Sequence, residues 1–337
     1  MTPLTDVVTE GERRFGRLLG FAHRGTFSPR SKQYFAVPES WAPAPLHYRS
    51  DLWGEAGVKP DTWELVREGA RKIREKRGIT AGFGLSDEPD SNMTLRGLLW
   101  AFGAAEQDEA GQVTINSPAT LEAVKLMATI YRESMSSDVF MWDAASNNRV
   151  FVWGRASIIE NAISAIRSME KSNPELARQV VLAPPAAGPG GGRLAGAHVL
   201  HCYMLWKFSD KAELAKRFLV DLLAAAEQGF RASEFYNLSC FPRAVPDLAK
   251  KLAGKTGSAR KPGNEQPPDR YALLAGADRW SASPGHPGYV TPAVDETVQR
   301  GVIPAMFARV ARGDQSPDAS VRTAEVEMRR IFAKWTR

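Results

Sequence analysis

Three carboxylates crowd into one short run, "SDEPDSN" from Ser86 to Asn92, which holds Asp87, Glu88 and Asp90. Carboxyl groups at this density suit acid–base work on a glycosidic bond, with Glu88, Asp90 and the more distant Asp143 as the candidate acids. That chemistry needs two carboxyls facing each other across the bond, usually from separate elements. Neighbours within one loop more readily hydrogen-bond a ligand or cap the next helix, and that is the expectation for this run. His198 and His201, three apart in "HVLHCY", would converge on a metal only in a helix. The segment reads as a strand, where positions i and i+3 face opposite sides. With five His in the chain and no HExxH spacing, no metal site and no cofactor are expected.

"GPGGGRLAG" offers glycine-rich backbone to an anion, but it lacks the Gly-Lys-Ser/Thr ending and leads into a strand. A hairpin connection is expected there instead. Cys202 and Cys240, the only cysteines, lack CxxC spacing and read as small apolar residues in a strand and a loop, with one bridge between them open. No GxSxG occurs, and no catalytic constellation is identified.

Tryptophan says more: of nine, several stand beside turn residues. Trp41 follows Pro38, Trp142 adjoins Asp143, and Trp280 precedes "SASPGHPGY". An indole beside carboxylates and amides suits a sugar, whose CH faces stack on rings while its hydroxyls hydrogen-bond polar groups. Plain packing is the alternative for each. Trp53, Trp63, Trp100 and Trp206 read as core.

The elements that position these residues alternate between short apolar runs and amphipathic helices, the pattern of an α/β protein. "QYFAVP", "APLHY" and "ITAGFGL" predict strands. A helix from Asp61 or Thr62 to about Lys76 opens on an Asp/Thr cap, "TLRGLLWAFGA" predicts another, and Ser117, Pro118 and Glu122 start a third. "EQDEAGQVTIN" predicts a hairpin or loop, and "RVFVWGRASIIEN" a helix end, a turn at Gly154 and a strand. A long helical run follows Ser209, and "GKTGSARKPGNEQPPDR" predicts a mobile loop. Two helices close the chain, about Asp295 to Arg312 and Pro317 to Trp335.

At 337 residues two lobes are expected rather than one core. Hydrophobic residues at 43% and charged ones at 24% are ordinary for globular proteins. The net charge of +6 is dispersed, with no focused patch for nucleic acid. No apolar run has a membrane span's length, and "MTPLTDVVTEGERRFG" lacks a signal-peptide pattern.

In this order the segments resemble the extracellular solute-binding proteins of ABC importers, in the group that includes maltose-binding and other sugar-binding proteins. "LHYRSDLWGEAGVKPDTWELV" carries the clearest likeness, with Arg49 and Ser50 where the family commonly has Asn and Lys. "GQVTINSPATLEAVKLMATIY", "FVWGRASIIENAISAI" and the stretch from Val180 to Leu223 follow in the family's order. The resemblance implies a type II periplasmic binding protein-like α/β fold, two lobes joined by crossover strands around a ligand cleft. It places lobe 1 at about 1–46 and 205–287, and lobe 2 at about 47–204 and 288–337. It also implies that the chain starts partway through lobe 1, so that lobe 1 is incomplete. The cleft positions it implies are Trp41, Asp90, Asn92, Trp142, Asp143, Asn161, Tyr236, Asn237, Trp280 and Tyr289. The function implied is non-catalytic capture of a small-molecule ligand, a carbohydrate by class, by a monomer that meets ABC permease subunits. The full-length form would be periplasmic or a cell-surface lipoprotein. A glycoside-acting enzyme and a ligand sensor without transport are the alternatives.

Overall fold

Several helices begin where the sequence supplies a capping side chain. The computed structural model describes residues 1–196, 199–253 and 270–335; His198 and nearly all of the expected mobile loop lie outside them. The Thr62 side chain accepts from the Leu65 amide to start Trp63–Arg77, which stops at Gly78 in the left-handed region. Ser117 accepts from the Thr120 amide to start Pro118–Ser134. Glu88 caps Pro89–Ala101, so this helix begins earlier than the apolar run suggests and takes in most of "SDEPDSN".

Two expected helices are broken. The run after Ser209 forms Ala212–Ala224 and Ala226–Ala232. The first closing helix is two, Pro292–Gln299 and Val302–Arg312, because Gly301 adopts φ 58° between them. A Cβ there would also lie 2.3 Å from the Asp87 carboxylate, so glycine is required twice over.

Eleven strands run in chain order among the described residues: β1 Phe27–Ser28, β2 Gln33–Tyr34, β3 Val37–Ala42, β4 Leu46–Arg49, β5 Thr80–Ala81, β6 Ala156–Glu160, β7 Val180–Ala183, β8 Ala195–Gly196, β9 Val199–Tyr203, β10 Leu238–Ser239 and β11 Ser281–Ala282. One sheet has the order β10-β3-β9 and another β5-β6-β4-β7. Since β3 and β4 are separated only by Pro43, Ala44 and Pro45, the chain passes from one sheet to the other in three residues. Two cores accompany the sheets. The first gathers Trp53, Trp63, Phe83 and the helices Pro118–Ser134, Val302–Arg312 and Pro317–Trp335. The second gathers Trp41, Phe230, Phe241 and Trp280 with the Thr5–Phe15 helix.

The glycine run is not a hairpin. β7 pairs with β4, β8 with β11 and β9 with β3, so its flanking strands never meet. Instead the Gly188 and Gly192 backbones close a turn pressed onto the end of the Pro89–Ala101 helix, where a Cβ on Gly188 would lie 1.8 Å from the Ala101 carbonyl oxygen. No side-chain rotation relieves a clash with backbone. Gly188→Ala is therefore expected to lower stability by about 3 kcal/mol, read as a fall in the urea midpoint at unchanged slope.

Trp206 is a second correction: it is 56% exposed, while Trp53, Trp63 and Trp100 are buried. Both cysteines are free, Cys240 buried and Cys202 on the surface of β9. Among the described residues no helix is long and apolar enough to cross a membrane.

Candidate ligand-binding site

The run "SDEPDSN" folds into the start of a helix whose first turn meets the end of β6. Glu88 accepts from the Asp90 amide at 2.7 Å, from the Ser91 amide at 2.5 Å, and from the Ser91 hydroxyl. These bonds spend its carboxylate on capping, so Glu88 does not serve as a free acid. Asp90, in that first turn, turns to Asn161, which follows the last residue of β6. The Asn161 Nδ2 lies 2.8 Å from Asp90 Oδ2 and 2.9 Å from both Asn147 Oδ1 and Asn148 Oδ1. An amide has only two hydrogens for these three acceptors. The last two residues come from the helix Ser146–Val152, so three separate segments converge here.

Asn92, two residues beyond Asp90, belongs to a second network: its Nδ2 donates to the Glu88 carbonyl at 3.2 Å. Its Oδ1 accepts from Arg96 Nη1 at 2.7 Å, and Arg96 pairs with Glu106 at 3.1 Å, both side chains almost wholly buried. Glu106 in turn accepts from the Gly285 amide at 2.6 Å, while Gln107 donates to the Gly285 and Tyr289 carbonyls.

Burial sets the electrostatics. It pushes Asp90 up to about 7, with the Glu88 charge adding and the Asn147 and Asn161 amides opposing. Glu160, the last residue of β6, rises to about 8 by burial, helped by the Asp90 charge. The Thr94 hydroxyl opposes this without reaching hydrogen-bond geometry, and neither Glu160 carboxyl oxygen has a partner. Near neutral pH these two carboxyls therefore carry protons part of the time, and each can donate as well as accept. That versatility matches hydroxyl groups, which also do both.

The other sheet contributes across from this cluster. Burial raises the Tyr236 hydroxyl's pKa and the Asp90 charge raises it further, which sets Tyr236 within electrostatic reach of Asp90. Asn237 precedes β10, whose Leu238 pairs with Trp41 in β3. The buried Trp41 Nε1 and the Asn237 Oδ1 both lack partners. Buried polar atoms are nearly always satisfied, so such atoms call for a missing partner.

Asp90 and Asn161 thus stand in one cluster with Asn147 and Asn148, with Tyr236 in its field, while Asn92 is turned to Arg96. Asp143 is largely exposed and accepts from the Ala145 amide and the Ser146 hydroxyl, a local cap, though its charge still reaches Glu88. Trp142 is buried and donates to Asp138 at 2.9 Å, its carbonyl receiving the Ser86 hydroxyl. Trp280 packs in the second core. Tyr289 stands apart from the cluster: its hydroxyl lies 3.3 Å from His23 Nε2, beside Phe27. Sequence reasoning missed Glu160, Asn147 and Asn148. The signal for Glu160 was present, a lone acid ending the apolar strand "ASIIE". Among the described residues no group of three His, Cys, Asp or Glu is arranged for a metal ion.

The profile of the family described as bacterial extracellular solute-binding protein matches residues 2–229. A candidate binding protein of Brucella abortus strain 2308 is 24% identical over 163 residues, 47% of this chain and 39% of that protein. The match thus spans well under half of that relative's length. Among solved structures, a candidate oligosaccharide periplasmic-binding protein from Synechococcus sp. MITs9220, in complex with zinc, superposes at TM-score 0.81 with 22% identity, over 99% of this chain and 81% of that one. Maltose-bound MalE3 of T. maritima gives 0.76 at 20% identity over 98% and 80%. A sugar transporter from Arthrobacter chlorophenolicus A6 with bound laminaribiose gives 0.75 at 16% over the same shares. At these identities the likeness establishes the fold, that of the type II periplasmic binding proteins.

Proposed function

We propose that this chain, which belongs to the bacterial extracellular solute-binding protein family, captures a carbohydrate without altering it and hands it to an ABC permease. It would work outside the cytoplasmic membrane, as the family description implies. In this reading the first lobe carries the sheet β10-β3-β9 and the second the sheet β5-β6-β4-β7, and β9, expected in the second lobe, goes with its partner β3. Ligand sits between them, against Asp90, Asn161 and Glu160 on one side and Trp41, Tyr236 and Asn237 on the other.

The observation that carries the reading is the set of buried polar atoms left without partners on both sides, Glu160 on one and Trp41 Nε1 and Asn237 Oδ1 on the other. A polyol bridging the two lobes would satisfy them and stack on the indole. Because these groups are buried as they stand, the lobes must part to admit ligand, and binding then favours the closed form by its differential affinity. The glycosidase alternative is disfavoured because Glu88 and Asp143 are both committed as caps.

A thermal-shift screen of mono- and oligosaccharides against peptides and polyamines tests this. A saccharide hit that raises Tm by several degrees, with a change in tryptophan emission, is expected. Hits confined to peptides or polyamines would overturn the carbohydrate assignment.

A further inference from the structure

Glu234 at φ 50° and Phe235 at φ 71° both hold left-handed backbone, directly before Tyr236 and Asn237. Residues other than glycine stay in that region only where their surroundings hold them, a bulky one such as Phe above all. The turn closes on Ser233, whose carbonyl accepts from the Tyr236 amide at 3.2 Å and whose hydroxyl accepts from the Asn237 amide at 3.0 Å. Phe235 is fixed twice: its amide donates to the Phe230 carbonyl at 2.8 Å, and the two rings lie 4.5 Å apart between centroids.

A further support reaches the turn from the opposite side of the candidate site. From Asn161 the chain runs through Ala162 and Ile163 into the helix Ser164–Ser172, which carries Arg167. Arg167 Nη1 donates to the Ser233 carbonyl at 2.6 Å, the same oxygen that takes the Tyr236 amide, and Nη2 pairs with the Glu234 carboxylate. The planar fork of a guanidinium suits two acceptors side by side, which an ammonium cannot match. Only 15% of the Arg167 side chain is exposed, so it lies against the protein and not free in solvent. Lys171, one turn further on, adds a looser contact to Glu234 at 3.8 Å. The helix that continues from Asn161 thus grips the turn that presents Tyr236 and Asn237.

We propose that Arg167 is a positioning residue of the ligand site: without touching ligand, it holds the turn at 233–235 so that Tyr236 and Asn237 face Asp90 and Asn161. The part played by Tyr236 and Asn237 in binding rests on the function proposed above. The placement of the turn does not.

The test labels the ligand-free chain with 5-fluorotryptophan and follows Trp41, whose backbone pairs with Leu238 directly after Asn237; Trp41→Phe assigns its signal. In Arg167→Met the Trp41 resonance is expected to shift and to acquire the H2O–D2O isotope shift of an exposed indole. The signals of Trp53 and Trp63, in the other core, should stay in place. A loss of stability alone would leave the folded-state Trp41 signal where it is. Glu234→Gln removes only the ion pair, at a half-exposed residue where the fold tolerates it, and should give the same change at reduced size. An unmoved Trp41 signal in both variants, or all the tryptophan signals moving together, would overturn the proposal. Affinity for the saccharide found in the thermal-shift screen should also fall by about tenfold or more in Arg167→Met, and an unchanged affinity would count against the role in binding. If the screen returns only peptides or polyamines, the carbohydrate assignment falls while the fluorine signals still decide Arg167.

Discussion

Glu160→Gln is expected to make the protein more stable at pH 8.5 by about 2–5 kcal/mol and to flatten its dependence on pH. The cause lies in the fully buried carboxyl at the end of β6, whose pKa is pushed up to about 8 and whose oxygens have no partner. A carboxyl with a raised folded pKa holds its proton more tightly folded than unfolded. The native state therefore has its full advantage below the ordinary carboxylate range and loses it progressively as pH climbs through about 8. Asp90, raised to about 7, adds a decline of the same sign, so Glu160→Gln keeps part of the slope. Urea unfolding of both proteins at pH 5 and 8.5 measures the difference. Equal destabilisation of the variant at both values would mean that the Glu160 carboxylate is paired and charged.

The second large effect is expected at Arg96. Its guanidinium and the Glu106 carboxylate are buried together, and Arg96 also holds both oxygens of Asn92. Removing one partner of such a pair leaves a lone buried charge, so Arg96→Met should cost about 3–5 kcal/mol. Adding Glu106→Gln to that variant should recover more than half of the loss, because the lone charge is gone. Chemical denaturation of the three proteins decides it, and a single-variant cost below about 1 kcal/mol would show that the pair is not a structural anchor.

Much of the fold was legible because local signals agreed with the global arrangement. Thr62, Ser117, Gly78 and Gly154 punctuate helices where their side chains or left-handed backbone require it. Asp90 and Asn161 could be named as neighbours in function only through the family's order of segments. Their 2.8 Å contact spans 71 positions, and no periodicity reports that. The break at Gly301 was missed because a single glycine inside an apolar-periodic run can also stay helical, and its left-handed φ and the approach of Asp87 are not local signals. Trp206 was misassigned because an apolar residue beside a strand reads as core, whether or not the surface it would bury against is present. Glu160 was passed over since a single acid at a strand end resembles a solvated terminus until burial on every side is known.

The central claim is that a carbohydrate is held between the two sheets at the Asp90–Asn161 cluster. Calorimetric titration of the saccharide hit from the screen into the parent chain and into Asn161→Ala tests it most directly. Removing this amide frees Asp90, Asn147 and Asn148 from their shared donor, and affinity should fall by about tenfold to a hundredfold, the worth of one or two buried hydrogen bonds. Unchanged affinity in Asn161→Ala, with the folded state intact by circular dichroism, would place the carbohydrate elsewhere and contradict the account.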